Sequence, residues 1–235
     1  MQGIGEAVSL AIQLVITGNA DLFEIVALSL RVSLSATFFA CLIGLPLGAL
    51  VAISRFPGRG AVLVLMNALM GLPPVVVGLL VYLHLSRSGP LGFLGLLYTP
   101  SAMIIAQTIL IAPIVAALSR QVLEDLHGEY AEQFRSLCLT RGQTVSALLW
   151  DARYSLLTVS LAGFGRAVAE VGAVIIVGGN IDHLTRVMTT AIALETSKGD
   201  LALALALGLV LLVIALGVNA AVQSLRMSAR RHAYV

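Results

Sequence analysis

LALALALGLVLLVIALGVNAAVQS, residues 201–224, runs for twenty-four positions without one Lys, Arg, Asp or Glu. A helix rises about 1.5 Å per residue, so roughly 20 apolar residues cross the hydrocarbon core of a bilayer. Residues 32–54, 60–86 and 91–119 are equally free of charge, and Tyr154 to Val177 is apolar except for Arg166 and Glu170. None of these stretches alternates polar with apolar residues, and each far exceeds the length of a barrel strand, so helices are expected. The fold class that follows is all-α: a polytopic membrane bundle of about five transmembrane helices.

Composition agrees, with 59% hydrophobic and 11% charged residues, against about 25% charged in soluble domains, and a mean hydropathy of +1.00. The first span is expected to begin earlier, near Glu24. The third is expected to begin near Pro100, because Ser88 to Pro100 is rich in Gly and Pro and reads as a loop. Glu6 to Thr17 is too short to cross and suits a helix lying in the interface. No Lys or Arg precedes Arg31, so the positive flank of a signal peptide is missing and none is expected.

Nine basic residues (Arg55, Arg59, Arg120, Arg135, Arg141, Arg153, Arg226, Arg230 and Arg231) fall on one side of this topology and only Arg87, Arg186 and Lys198 on the other. The positive-inside rule then predicts an external amino terminus and a cytoplasmic carboxyl terminus. The expected organisation is an external interfacial segment, 1–22, a five-helix transmembrane domain, 23–225, and a cytoplasmic basic tail, 226–235.

Several functions lack a basis. A formal charge of +2 with basic residues at helix ends gives no footprint for nucleic acid. Cys41 and Cys138 fall on different sides of the predicted topology and are expected to be unpaired. His84, His127, His183 and His232 lack metal-ligand spacing, and no hydrolase elbow or His-Glu-x-x-His helix occurs. A Walker A loop needs a Lys bound to phosphate, yet the single Lys, Lys198, sits in Ser-Lys-Gly-Asp on the predicted outer side.

The polar interruption from Arg120 to Arg153 carries nine of the twenty-six charged residues. Connections in helix bundles usually take about 2 to 8 residues, so a segment this long implies a purpose. Glu129 to Thr140 reads as a short helix with Tyr130, Phe134 and Leu137 on one apolar face, suited to lipid headgroups or to a groove on a partner.

This segment, about 120–153, resembles the coupling loop of bacterial ABC importer permeases, whose signature is Glu-Ala-Ala, three residues, Gly, nine residues and Ile-x-Leu-Pro. Glu132 matches the Glu, Cys138 occupies the Gly position, Leu148 and Trp150 stand for Ile and Leu, and Asp151 replaces Pro. Cys adopts the left-handed conformation of such a Gly only at a cost, so Gly142 is expected to take over the turn. The resemblance implies contact with an ATPase through Glu132, Arg135, Cys138, Leu139, Thr140, Arg141 and Gly142.

Gly71-Leu-Pro-Pro-Val-Val-Val-Gly78 in the second span resembles the Pro-Pro break of the molybdate, tungstate and sulfate importer permeases. Gly163-Phe-Gly-Arg-Ala-Val-Ala-Glu-Val-Gly-Ala-Val-Ile-Ile-Val-Gly-Gly-Asn180, followed by Thr185-Arg-Val-Met-Thr-Thr-Ala-Ile-Ala-Leu-Glu-Thr-Ser-Lys-Gly-Asp200, is similar to the tungstate-specific branch. Such a permease is implied to be a pore-forming subunit of the bacterial inner membrane without enzymatic activity of its own. Its implied partners are a second copy of itself, two ATPase subunits that hold ATP and Mg, an external substrate-binding protein and membrane lipid. No cofactor is expected on this chain.

Arg166 and Glu170 lie four apart on one helical face, and each would cost about 2.5–3.5 kcal/mol at the centre of a membrane helix. They suit either a pathway and gate for an oxyanion or a structural pair locking neighbouring helices. Pro73 and Pro74 free backbone groups in mid-span, and Gly178, Gly179 and Asn180 offer backbone donors at the outer end of the fourth span. The small residues Ser155, Ser160, Ala162, Gly163, Gly165, Ala167, Ala169, Gly172 and Ala173 predict close helix approach on that span. An ATP-independent secondary transporter or anion channel is the alternative, although inverted repeats are not visible.

Overall fold

A computed structural model describes residues 4–17 and 20–232, and among them there is helix, turn and coil but no strand. The helices are α1 (Ile4–Thr17), α2 (Ala20–Ile53), α3 (Arg59–Met70), α4 (Pro74–Leu85), α5 (Pro100–Ser136), α6 (Arg141–Asp151), α7 (Arg153–Val168), α8 (Gly172–Gly178), α9 (Met188–Lys198) and α10 (Leu201–His232). The Gly- and Pro-rich connection before Pro100 is irregular, as expected, apart from a single 3-10 turn at Gly92–Leu94.

Three helices, α2, α5 and α10, are each long and apolar enough to cross a membrane. The pairs α3–α4 and α7–α8 pass the same test when each is taken as one span, giving up to five. The expected all-helical bundle is therefore present, with a difference in the fourth span. It is broken between Val168 and Gly172 and bends by 59°, while the second span bends by 94° at the Pro-Pro break.

Local chemistry explains several of the helix ends. Thr99 caps α5 by accepting from the Ala102 amide at 3.4 Å, and Pro100 takes the first helical position, where its missing N–H has no partner to lose. At the other end of the chain, Ser-Lys-Gly-Asp is a stop followed by a start. Gly199 (φ +84°) ends α9, with its amide on Thr196 O and the Asp200 amide on Glu195 O, and Asp200 then accepts from the Leu203 amide to open α10.

The described chain divides into two compact units. One draws on residues within 1–36, 73–107 and 165–218. Its core contains Val77, Val81, Met103, Ala106, Ala173, Val174, Val177 and Met188. Helices α4 and α8 meet without intervening side chains, because a methyl group on Gly78 would fall 2.8 Å from the Ala173 Cα.

The other unit draws on residues within 37–72, 108–164 and 219–235. Gly44 and Gly48 of α2 face α5, where a Cβ on Gly48 would fall 2.6 Å from Ala116 O and one on Gly44 2.9 Å from Ala112 O. Gly163 of α7 packs the same way against Ile111 and Val115, in line with the close approach expected of the small residues there. Ala49, Ala52, Leu123, Leu148, Ala152 and Leu156 form a buried cluster, with Phe134 and Val145 packed against it.

Candidate functional site

Two helix breaks lie side by side in the first unit. At the break between α3 and α4, Pro73 has an extended backbone and its carbonyl accepts from the amides of Val76 and Val77 at 3.0 and 3.2 Å, while Pro74 occupies the first position of α4. At the break between α7 and α8, the Glu170 amide folds back to Ala167 O at 3.2 Å. A Cβ on Gly172 would lie 3.0 Å from Val75 Cγ2 and 3.5 Å from Pro74 Cβ, so the two breaks touch at Gly172 and a side chain there would press on Val75.

Glu170 sits in the break itself rather than on α7, where the sequence places it. Its Oε2 accepts from Arg166 and its Oε1 accepts from the Ala173 amide at 3.2 Å. The carboxylate thus pairs with the cation and caps α8 at once. Glu170 is 4% exposed whereas Arg166 is 38% exposed. The negative charge is internal and matched, and the guanidinium presents an open side.

The other groups released by the break are met by residues that sequence reasoning did not single out. Gln107 of α5 donates from Nε2 to Ala167 O at 3.1 Å, and the Thr189 hydroxyl donates to Glu170 O at 2.8 Å. Ser29 of α2 accepts from the Met188 amide at 2.7 Å and so fixes the start of α9. The only sequence signal for these partners is a polar residue inside an otherwise apolar stretch.

Gly178, Gly179 and Asn180 form a turn after α8. The Gly179 amide returns to Ile175 O, the Gly178 carbonyl accepts from Thr185 Oγ1 at 2.6 Å, and Asn180 Nδ2 donates to Thr190 O at 3.4 Å. Gly179 (φ +72°) has the Tyr98 ring where a Cβ would go. Beyond the turn, His183 meets Glu24 at 2.9 Å and Arg186 meets Asp182 at 2.6 Å, beside a cavity of about 110 Å³ also lined by Asp21 and Glu195. The hydrogen bond and charge of Glu24, with Asp182 and Asp21 adding to them, hold the His183 pKa above its usual 6.5.

The polar segment in the second unit differs from the expected separate helix over 129–140. Its first part is the end of α5, which continues without interruption to Ser136. Tyr130 and Phe134 are in ring contact, but Leu137 falls beyond the helix and is 61% exposed. The turn is made by Cys138 itself at φ +48°, with the Cys138 amide on Arg135 O and the Leu139 amide on Phe134 O. That pair of bonds is the Schellman pattern, with Cys138 in the position that favours Gly. Gly142 does not take over the turn, because it lies inside the first turn of α6.

Thr140 opens α6 with a reciprocal cap, accepting from the Gln143 amide while Gln143 Oε1 accepts from the Thr140 amide at 2.9 Å. Leu148 is buried, which anchors α6 in the unit's core, while Trp150 is 72% exposed with Arg153 over its ring at 4.9 Å. Glu132, Arg135, Cys138, Thr140, Arg141 and Gly142 are all exposed, and Leu139 is half-buried. Nearby, Glu124 joins Arg59, at 2.7 Å, to Arg120.

Residues 44–231 match the family described as binding-protein-dependent transport system inner membrane component. The chain is 40% identical over 226 residues to the tungstate uptake system permease protein TupB of Peptoclostridium acidaminophilum, which covers 96% of this chain and 99% of that protein. It is 42% identical over 204 residues to a probable anion ABC transporter permease protein of Haloferax volcanii, covering 85% and 88%. The sulfate transport system permease protein CysT of Salmonella typhimurium is 29% identical over 205 residues, covering 84% and 74%. A match over most of the chain, on a helical structure with up to five spans, places this protein in the family of inner membrane components of binding-protein-dependent transport systems.

Proposed function

We propose that the chain is the permease subunit of an ATP-driven importer of an oxyanion, with tungstate as the substrate. Two copies form the translocation pathway, two separate ATPase subunits bind ATP and Mg and dock on the cytoplasmic side, and a substrate-binding protein docks outside. The amino terminus is external and the carboxyl terminus cytoplasmic. The observation that carries this reading is the similarity to a tungstate uptake permease along nearly the full length of both chains.

The geometry supports it in two places. The segment from Glu132 to Gly142, with exposed Leu137 at its turn and exposed Trp150 farther along α6, offers a partner an apolar and charged surface built on two capped helix ends. The adjoining breaks at Pro73–Pro74 and Glu170 offer a place where backbone groups leave the helical ladder, and the open side of Arg166 supplies positive potential beside it. Pairing with Glu170 tempers that attraction, as passage of an ion requires. Gly178, Gly179 and Asn180 shape the outer end of the same route.

Reconstitution in proteoliposomes tests the proposal. The chain with its ATPase and binding protein should accumulate labelled tungstate only when ATP is present on the ATPase side, in preference to molybdate and sulfate. Uptake by the chain alone, without the ATPase, would show a secondary transporter or channel instead.

A further inference from the structure

A small cavity of about 10 Å³ lies under the α7–α8 break, and its polar walls are Ser29, Ser33, Gln107, Glu170 and Thr189. That volume is about one water-sized sphere. Gln107 is 3% exposed and its Nε2 is committed to Ala167 O, but among the described residues no protein donor reaches its Oε1.

Two of the three hydroxyls on its walls have their protons spent. Ser29 donates to Ile25 O at 2.7 Å and Thr189 donates to Glu170 O at 2.8 Å. A hydroxyl has one proton to give, so what Ser29 and Thr189 still offer the cavity is lone pairs. The Glu170 carboxylate likewise only accepts, and its charge is met by Arg166. The oxygens of Ser29, Thr189 and Glu170 offer an anion only acceptors, and a volume of about one water molecule has no room for a tetrahedral oxyanion. A cation would add charge to a pair that is already neutral.

We infer that this cavity is a built site for one water molecule, which donates to Gln107 Oε1 and to an oxygen of Ser29, Thr189 or Glu170. Gln107 is then a positioning residue with two tasks: its amide nitrogen holds the end of α7, and its oxygen holds the water that completes hydrogen bonding at the break. The inference stands on the hydrogen-bond inventory and is independent of which substrate is moved.

The test is a structure of the assembled transporter at a resolution that shows ordered water, determined once in sodium chloride and once in choline chloride. A peak about 2.7–3.2 Å from Gln107 Oε1 in both salts is the expected result. A peak lost in choline would mark a monovalent cation and overturn the inference, as would a protein donor on Gln107 Oε1 with no peak. In Gln107→Met, which keeps the length of the side chain without its polar atoms, the peak should vanish. Exchange of the amides of residues 169–173 should also rise, by about tenfold, through loss of the nitrogen's bond. A peak that survives the substitution would show that Gln107 is not its acceptor.

Discussion

The backbones of Gly78 and Ala173 touch, leaving 2.8 Å between the Ala173 Cα and the place where a side chain on Gly78 would begin. Through this contact α4 and α8, the second halves of the two broken spans, become one packed element. Nothing larger than hydrogen fits there, and overpacking a tight site typically costs about 1–3 kcal/mol. Gly78→Ala should therefore lower the melting temperature of the purified protein by several degrees, and Gly78→Leu should abolish recovery of folded protein. A Gly78→Leu variant with unchanged melting would refute the contact.

Removing Arg166 alone leaves Glu170 buried and uncompensated, a change that typically costs about 3–5 kcal/mol for a fully buried pair and less here, because Arg166 is 38% exposed. Glu170→Gln keeps an oxygen to accept from the Ala173 amide, so it should be the milder single substitution. The double variant Arg166→Gln with Glu170→Gln should melt above Arg166→Gln alone. If the two substitutions are additive, the pair is not coupled. Uptake separates the two readings of Arg166: a folded double variant without uptake places the guanidinium on the route, and one with full uptake makes the pair structural.

The long apolar stretches were legible because the bilayer demands them one residue at a time, and so was the Pro73–Pro74 break, since proline cannot stay in the helical ladder. The break at Glu170 was not. Val168-Ala-Glu-Val-Gly172 contains no proline, and what opens the helix there is a set of partners distant in sequence: Gln107, Thr189 and the Pro74 face of α4. The rising charge after Arg120 suggested a new helix, but charge marks the exit from an apolar medium and not the end of a helix, so α5 runs on to Ser136. Gly44 and Gly48 were not singled out, because which helix a glycine admits depends on tertiary contact, here with Ala112 and Ala116.

His183 gains its partner Glu24 in the folded protein, which raises its pKa above 6.5. A raised folded pKa means that the contact stabilises the protein fully below about 6.5, the unfolded value. That contribution is lost as pH rises through the folded value. An NMR titration of the His183 ring should give a midpoint above that of a free histidine, and Glu24→Gln should lower it, with Asp182 and Asp21 supplying what shift remains. A midpoint unmoved by Glu24→Gln would remove Glu24 as the cause.

Cys138 holds a left-handed backbone at φ +48°, a conformation that costs most L-residues about 1–2 kcal/mol and glycine almost nothing. Cys138→Gly should therefore raise the melting temperature, whereas Cys138→Val, branched at Cβ, should lower it. Thr140→Ala removes the side chain that receives the Gln143 amide and should cost about 1 kcal/mol. A lower melting temperature for Cys138→Gly would mean that the thiol makes a contact worth more than the strain.

Glu132, Arg135 and Arg141 can be altered without touching the core, because all three are exposed, whereas Phe134 among them packs against the buried cluster of Leu123 and Leu148. Glu132→Arg should therefore leave the melting temperature within about 1 °C of the parent, since substitutions at exposed positions usually change stability by no more than about 0.5 kcal/mol. Co-purification with the ATPase and ATP-driven uptake should both fall by at least tenfold if this turn is the docking element. Leu137→Ser and Trp150→Ser should weaken the same contact by removing apolar area that water otherwise covers. Stable variants that still bind the ATPase and still accumulate substrate would move the docking element elsewhere on the chain.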